Sequence, residues 1–229
     1  MRRKIMTTKE TMSCLILYFL CYMVLMNVAL ELLSQVVENV SLLYMLQFSA
    51  EIILLCALMF LCKKLFKDVS YGMDFNIILS IPAYYIMMIV ASSMVTVPII
   101  LISDTYTSNN QIAIEYMFEQ NLIYSVFAVA IFAPIVEELI FRGVIYKNMR
   151  RIFTVGASVA VSSSVFALMH FIISLAMNDF SDIIFLPTYI VPSIFLCLIY
   201  EKYDNIFAPI FLHLANNSIG LIAIIWGMM

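Results

Sequence analysis

The sequence predicts an all-α fold: a polytopic transmembrane helix bundle of about seven spans, within a range of six to eight. Three observations predict it. Of the 229 residues, 64% are hydrophobic and 12% charged, with a mean hydropathy of +1.03, whereas soluble domains hold about 45–50% apolar and about 25% charged residues. The apolar residues fall in runs of roughly 20, the length that carries a helix across the hydrocarbon core. The runs are continuous, unlike the alternating strands of a membrane barrel, and a helix satisfies its own backbone in lipid. This balance excludes a soluble enzyme, a secreted disulfide scaffold and a disordered regulator as default readings. The formal net charge of −3 offers no basic footprint, so nucleic acid is not an expected partner.

The first span covers about 12–33. It outruns the 7–15-residue apolar region of a secretory signal and no small-residue cleavage site follows it, so it reads as a retained helix. Further spans follow at about 41–62, 77–102, 122–146, 156–177, 183–200 and 206–228. Pro82, Pro98, Pro134, Pro187, Pro192 and Pro209 lie in or beside them, where proline kinks a membrane helix. The stretch 103–121, with Asn, Ser, Thr and acids, reads as the longest exterior loop. Cys14, Cys21, Cys56, Cys62 and Cys197 all lie in apolar spans without a CxxC pair, as small buried hydrophobes do. With no linker, repeat or low-complexity tract, residues 1–229 read as a single integral membrane domain, with a polar core at about 120–220.

Charge sets the expected orientation. Arg2, Arg3, Lys4 and Lys9, then Lys63, Lys64 and Lys67, then Arg142, Lys147, Arg150 and Arg151, then Lys202 fall on one parity of connections. Glu31 and Glu38, Asp104, Glu115 and Glu119, and Asp179 and Asp182 fall on the other. The positive-inside rule then predicts a cytoplasmic N-terminus and, with seven spans, an exterior C-terminus.

Ionisable groups within spans are costly and mark function by default. Here they gather late in the chain. Glu138 and Arg142 stand four apart on one helix face, in the favourable order for a helix-locking ion pair. Glu137 points about 100° away and needs another partner or a proton. A hairpin turn centred between Phe153 and Thr154 puts Glu137 and His170 each sixteen residues from its centre, so the two lie level and can meet, roughly 20 Å from the cytoplasmic tip. His213 and Asn217, four apart, share a face at comparable depth and offer an imidazole N–H and an amide NH₂; Asn216 points elsewhere. Within the earlier spans, Glu51 has only Gln47 on its face.

A poised carboxylate suits general-base activation of water, and paired donors suit an oxyanion. The combination reads as amide hydrolysis without a Ser or Cys nucleophile. A second reading takes Glu137, His170 and His213 as zinc ligands with an open fourth position; there is no H-E-x-x-H, and spacing neither supports nor excludes it. The bland alternative is interhelical hydrogen bonding.

Glu137-Glu138-x-x-x-Arg142, Phe166-x-x-x-His170 and His213-x-x-x-Asn217, in this order, resemble the three motifs of the CAAX protease and bacteriocin-processing (Abi) family. These are intramembrane glutamic endopeptidases related to the type II CAAX prenyl protease. The resemblance spans about 120–220 and implies roles. Glu137 activates water with His170 helping to hold it, and His213 and Asn217 stabilise the oxyanion. Glu138 and Arg142 shape the site, and Phe166 packs beside it. It implies no required cofactor or metal, and a bilayer-embedded enzyme cutting a membrane-associated or lipidated peptide or protein from the cytoplasmic side. The short chain resembles bacterial cell-membrane members. Prenylated proteins, bacteriocin leaders and signalling propeptides all fit such a site. The alternative is a non-catalytic bacteriocin immunity or peptide-maturation factor that binds its partner. A proton-coupled transporter would call for internal repeats, which are not evident.

Overall fold

The computed structural model describes residues 6–67, 75–103 and 107–228. Arg2, Arg3, Lys4 and Asp104 of the charge pattern lie outside the described residues. The chain forms α1 (Thr8–Ser34), α2 (Val40–Leu61), α3 (Lys63–Lys67), α4 (Phe75–Ile102), α5 (Asn109–Gln120), α6 (Leu122–Met149), α7 (Val155–His170), α8 (Ile172–Ala176), α9 (Phe180–Tyr203) and α10 (Phe207–Met228). Six of these, α1, α2, α4, α6, α9 and α10, are long and apolar enough to cross a membrane. The structure is therefore a polytopic helical bundle, as predicted.

The predicted fifth span is broken. Its first part, α7, has 16 residues, about 24 Å at 1.5 Å per residue. Phe171 then departs toward a tight turn, with φ −84° and ψ −5°, before α8 begins. Asn178 and Asp204 take left-handed backbone at φ 55° and 45°, a conformation that Asn and Asp tolerate. They end α8 and α9 and let the chain reverse.

Helix starts follow from short polar side chains that accept orphan N–H groups. Thr7 and Glu10 form a reciprocal capping box on α1. Asn39 caps α2, Asn121 caps α6 and Thr154 caps α7. Ser108 caps α5 by accepting from the Gln111 N–H. That cap corrects the expectation of an exterior loop over 103–121. Residues 109–120 form a helix whose polar composition hides it from a search for apolar runs. Its Phe118 packs with Ala130 of α6 and Leu221 of α10.

The backbone widens to i→i+5 hydrogen bonding over Ile16–Met26 in α1 and over Ala128–Phe132 and Leu139–Tyr146 in α6. Such widenings often lie at functional sites. In α6 they flank a short regular stretch, Ala133–Glu138, which carries Pro134 and both glutamates. Proline has no N–H to give, so it is tolerated where the ladder already changes.

Helix α6 is central: its apolar window is 56% buried within the protein, against 11% for α1 and for α4. The larger core joins α1, α2, α6 and α7 through Tyr18, Leu58, Phe141 and Phe166. A second core joins α4 to α9 and α10 through Ile77, Met88, Ile199 and Leu212. Large apolar side chains such as Ile53, Met94, Leu101 and Ile123 are exposed on the outside. Such a belt belongs against lipid.

The two ends of the bundle differ in charge. At one, Lys64 pairs with Glu10, Arg150 pairs with Glu201, and Asn148 donates to Thr11. At the other, the Asn109 N–H and amide donate to Asp182 and Asp179, and Ser174 donates to Asp182. Donors from Ser181 and Asn109 hold the Asp179 carboxyl below its usual range. One correction follows. Arg142, placed among the connection charges by position, is fully buried inside the bundle, because α6 continues past it to Met149.

Gly143 is where α6 approaches α3: a Cβ there would overlap the Leu65 side chain and stand 3.7 Å from Ile206. Gly143→Val is expected to destabilise the protein by about 1–3 kcal/mol. Gly143→Ala should cost less, because the end of Leu65 can turn aside. Gly156→Ala, which meets open space, should be neutral or stabilising in a helix. Thermal unfolding in detergent ranks the three.

Candidate active site

The site grows from a pair of fully buried charges. Arg142 Nη1 donates to Glu138 Oε1 at 2.8 Å, one turn apart on α6, and neither side chain is exposed. Arg142 Nη2 donates to the Ser193 carbonyl at 2.9 Å and the Ser193 hydroxyl at 2.7 Å, across to α9. The guanidinium lies 5.0 Å from the centre of the Phe166 ring, a cation–π contact with α7. Removing either charge would strand the other away from water.

Glu138 has a second role. His213 of α10 places Nδ1 2.8 Å from Glu138 Oε1. A carboxylate accepts only, so Nδ1 carries the proton. The other ring nitrogen, Nε2, then faces Glu137 Oε2 at 3.8 Å. Arg142, Glu138, His213 and Glu137 thus form one chain of contacts across α6 and α10.

Asn217, one turn beyond His213, donates its amide to the Val129 carbonyl at 2.9 Å. That carbonyl lies in the widened part of α6. Asn216, expected to point elsewhere, donates to Asn217 Oδ1 at 3.2 Å and lines the same cavity.

His170 sits differently from the hairpin expectation. Its Nδ1 is 3.0 Å from the Phe166 carbonyl, one turn back on α7. Its ring lies between Phe166, at 4.6 Å between centres, and Tyr189 of α9, stacked at 4.5 Å. Tyr189 in turn hydrogen-bonds to Ser108 at 2.5 Å, at the start of α5. Among the described residues, no hydrogen bond or ion pair joins His170 to Glu137; the nearer imidazole partner of Glu137 is His213. The equidistance argument assumes regular winding from the turn to Glu137. Eight residues of i→i+5 winding at Leu139–Tyr146 change both its height and its angle. The turn itself lies where predicted, between Met149 and Val155.

A cavity of about 890 Å³ joins these groups. Glu137, Phe166, His170, His213 and Asn217 line it. Glu138 and Arg142 stand behind it and hold His213. All seven residues selected from the sequence therefore meet at one place. Tyr189, Ser193 and Asn216 complete the surroundings. Tyr189 and Ser193 carry no motif signal, being single polar residues in an apolar span. The zinc reading needs Glu137, His170 and His213 as one ligand group. Among the described residues, no three His, Cys, Asp or Glu side chains form such a group.

Fold and site together define a multi-pass membrane protein with a buried carboxylate–imidazole centre. Residues 119–219 match the family described as type II CAAX prenyl endopeptidase Rce1-like, a match that supports membership of the CAAX protease family. No curated protein and no solved structure matches the chain significantly.

Arg142→Ala is expected to destabilise the protein by about 3–5 kcal/mol, because it leaves Glu138 buried and unpaired. The double variant Glu138→Gln/Arg142→Met, which removes both charges, should lose less than the sum of the two single changes. Denaturant unfolding in detergent measures both.

Proposed function

We propose that this protein is an intramembrane endopeptidase that hydrolyses a peptide bond of a membrane-associated or lipidated substrate with water activated by Glu137. One observation carries the reading. Glu138 engages His213 Nδ1 and so turns Nε2 toward Glu137 and the cavity. A carboxylate and an imidazole, held by a buried ion pair rather than by solvent, are preorganised for a reaction that moves protons.

The steps balance as follows. A water oxygen attacks the carbonyl carbon while Glu137 takes one water proton. The oxyanion accepts from Nε2–H of protonated His213, a cation that Glu138 stabilises, and from the Asn217 amide. His170 helps hold the water, its ring fixed by Phe166 and Tyr189. Glu137 then gives its proton to the departing nitrogen, the C–N bond breaks, and an acid and an amine leave. No step uses a metal ion. Among the described residues, no three His, Cys, Asp or Glu side chains group as metal ligands, which favours this over a zinc centre.

The basic end of the bundle is assigned to the cytoplasm. Glu137 lies twelve residues before Met149 at that end, within reach of a substrate entering from the cytoplasmic side. The N-terminus is then cytoplasmic.

In purified protein in lipid, with a cleavable peptide, Glu137→Gln should lower kcat about 10²–10⁴-fold, and Asn217→Ala about 10²–10³-fold. Undiminished cleavage by Glu137→Gln would overturn the mechanism. Protection against a bacteriocin by Glu137→Ala expressed at normal level would instead assign a binding role. Chelator should leave the rate unchanged; loss restored by stoichiometric zinc would establish a metal enzyme.

A further inference from the structure

A second buried carboxylate shares the cavity, and the proposed hydrolysis does not use it. Glu51 of α2 is 1% exposed. Its Oε1 accepts from the Tyr124 hydroxyl at 2.7 Å and the Tyr22 hydroxyl at 3.2 Å. Its Oε2 is buried with no hydrogen-bond partner among the described residues. Glu51, Gln47, Tyr22 and Tyr124 all line the cavity that reaches Glu137 and His213. The Tyr22 ring packs edge-on against Phe132 at 5.5 Å and stacks with Tyr18 at 6.0 Å, so it forms wall between the two carboxylates.

The described lining contains Glu51 and Glu137 and no Lys or Arg. Glu138, the third acid nearby, is already matched by Arg142. Among the described residues, no cation forms an ion pair with Glu51. Two tyrosine donors on one oxygen are a structural pin between α1, α2 and α6. They leave Oε2 without a hydrogen bond of good geometry, with the Gln47 amide, one turn back on α2, as its polar neighbour, an arrangement that a bundle of this kind rarely bears without use. An isolated carboxylate in a weakly polar cavity attracts a cation strongly.

We infer that Glu51 is the base of a specificity subsite that receives a basic side chain, Lys or Arg, of the peptide bound in the cavity. The inference rests on the endopeptidase reading for the identity of the ligand as a substrate peptide. The occupant's ammonium or guanidinium donates to Oε2 while the tyrosines hold Oε1 in place. Glu51 touches the substrate away from the reacting atoms and sets which peptides bind.

The test is binding, which is independent of cutting. Glu137→Gln protein in lipid nanodiscs is titrated with fluorescein-labelled apolar peptides. Each carries one Arg, or its neutral isostere citrulline, at successive positions. At one position the Arg peptide should bind about tenfold more tightly than the citrulline peptide. Adding Glu51→Gln should bring that ratio to near one. The ratio within each variant is the readout, so a general loss of folded protein, which weakens both peptides, does not move it. Equal binding of Arg and citrulline peptides at every position, no binding of either, or an Arg preference that survives Glu51→Gln would each overturn the subsite. Cleavage of the same peptides by protein with Glu137 intact tests the endopeptidase reading separately. Binding preference without cleavage leaves the subsite standing and removes the enzyme; cleavage without preference does the reverse.

Discussion

The Glu138–Arg142 pair is the constraint around which the centre is built. Two charges with no exposure sit in a bundle whose surroundings are lipid. Alone, either would be prohibitively unfavourable there. Together they persist only because further donors and acceptors surround them. Arg142 reaches Ser193, Glu138 accepts from the His213 Nδ1–H, and Phe166 covers the guanidinium. These partners come from α9, α10 and α7. The pair therefore sets the mutual positions of the helices that make the cavity as well as locking one helix. The orientation of His213 follows from the same need, since its Nδ1–H completes the shell of Glu138.

The widened winding of α6 has a comparable effect on angles. Two stretches of i→i+5 bonding bracket the glutamates. Adjacent glutamates on one regular helix would point about 100° apart. Here both still serve His213, one at each ring nitrogen. The Val129 carbonyl, within the first widened stretch, accepts the Asn217 amide. The imidazole spans the angle between the two glutamates, which share the regular stretch, while the Asn217 contact uses a carbonyl of the widened one.

What could be read in advance was what depends on local spacing. The Glu138–Arg142 pair is a property of i and i+4 and needs no knowledge of the fold. The spans follow from apolar runs, and the turn before Val155 from Thr154 and its neighbours. The three motifs bring seven residues to one site, five of them lining the cavity, because each motif is short and local, while the bundle supplies the meeting. The errors have the opposite character. Glu137 and His170 share the cavity without a direct bond among the described residues, and eight widened residues of α6 stand between the turn and Glu137. Helix α5 was missed because a cap and an amphipathic polar stretch carry no run. Ser193 lies 51 residues from Arg142 and Tyr189 lies 81 from Ser108; nothing local marks either partner. Glu51 stood out as an intraspan acid, but its tyrosines arrive from α1 and α6.

The low burial of α1 has a consequence for access. Tyr18, Tyr22, Val24 and Val28 of this helix line the cavity, while Leu20, Leu25 and Leu32 of the same helix are about half exposed. At this point the partition between the polar chamber and the acyl chains is a single helix thick. The membrane-tethered substrate proposed for this site would already be confined to that plane. Its search for the site is two-dimensional, its local concentration is set by the membrane rather than the cytosol, and displacement of one lightly packed helix is the smallest movement that admits it.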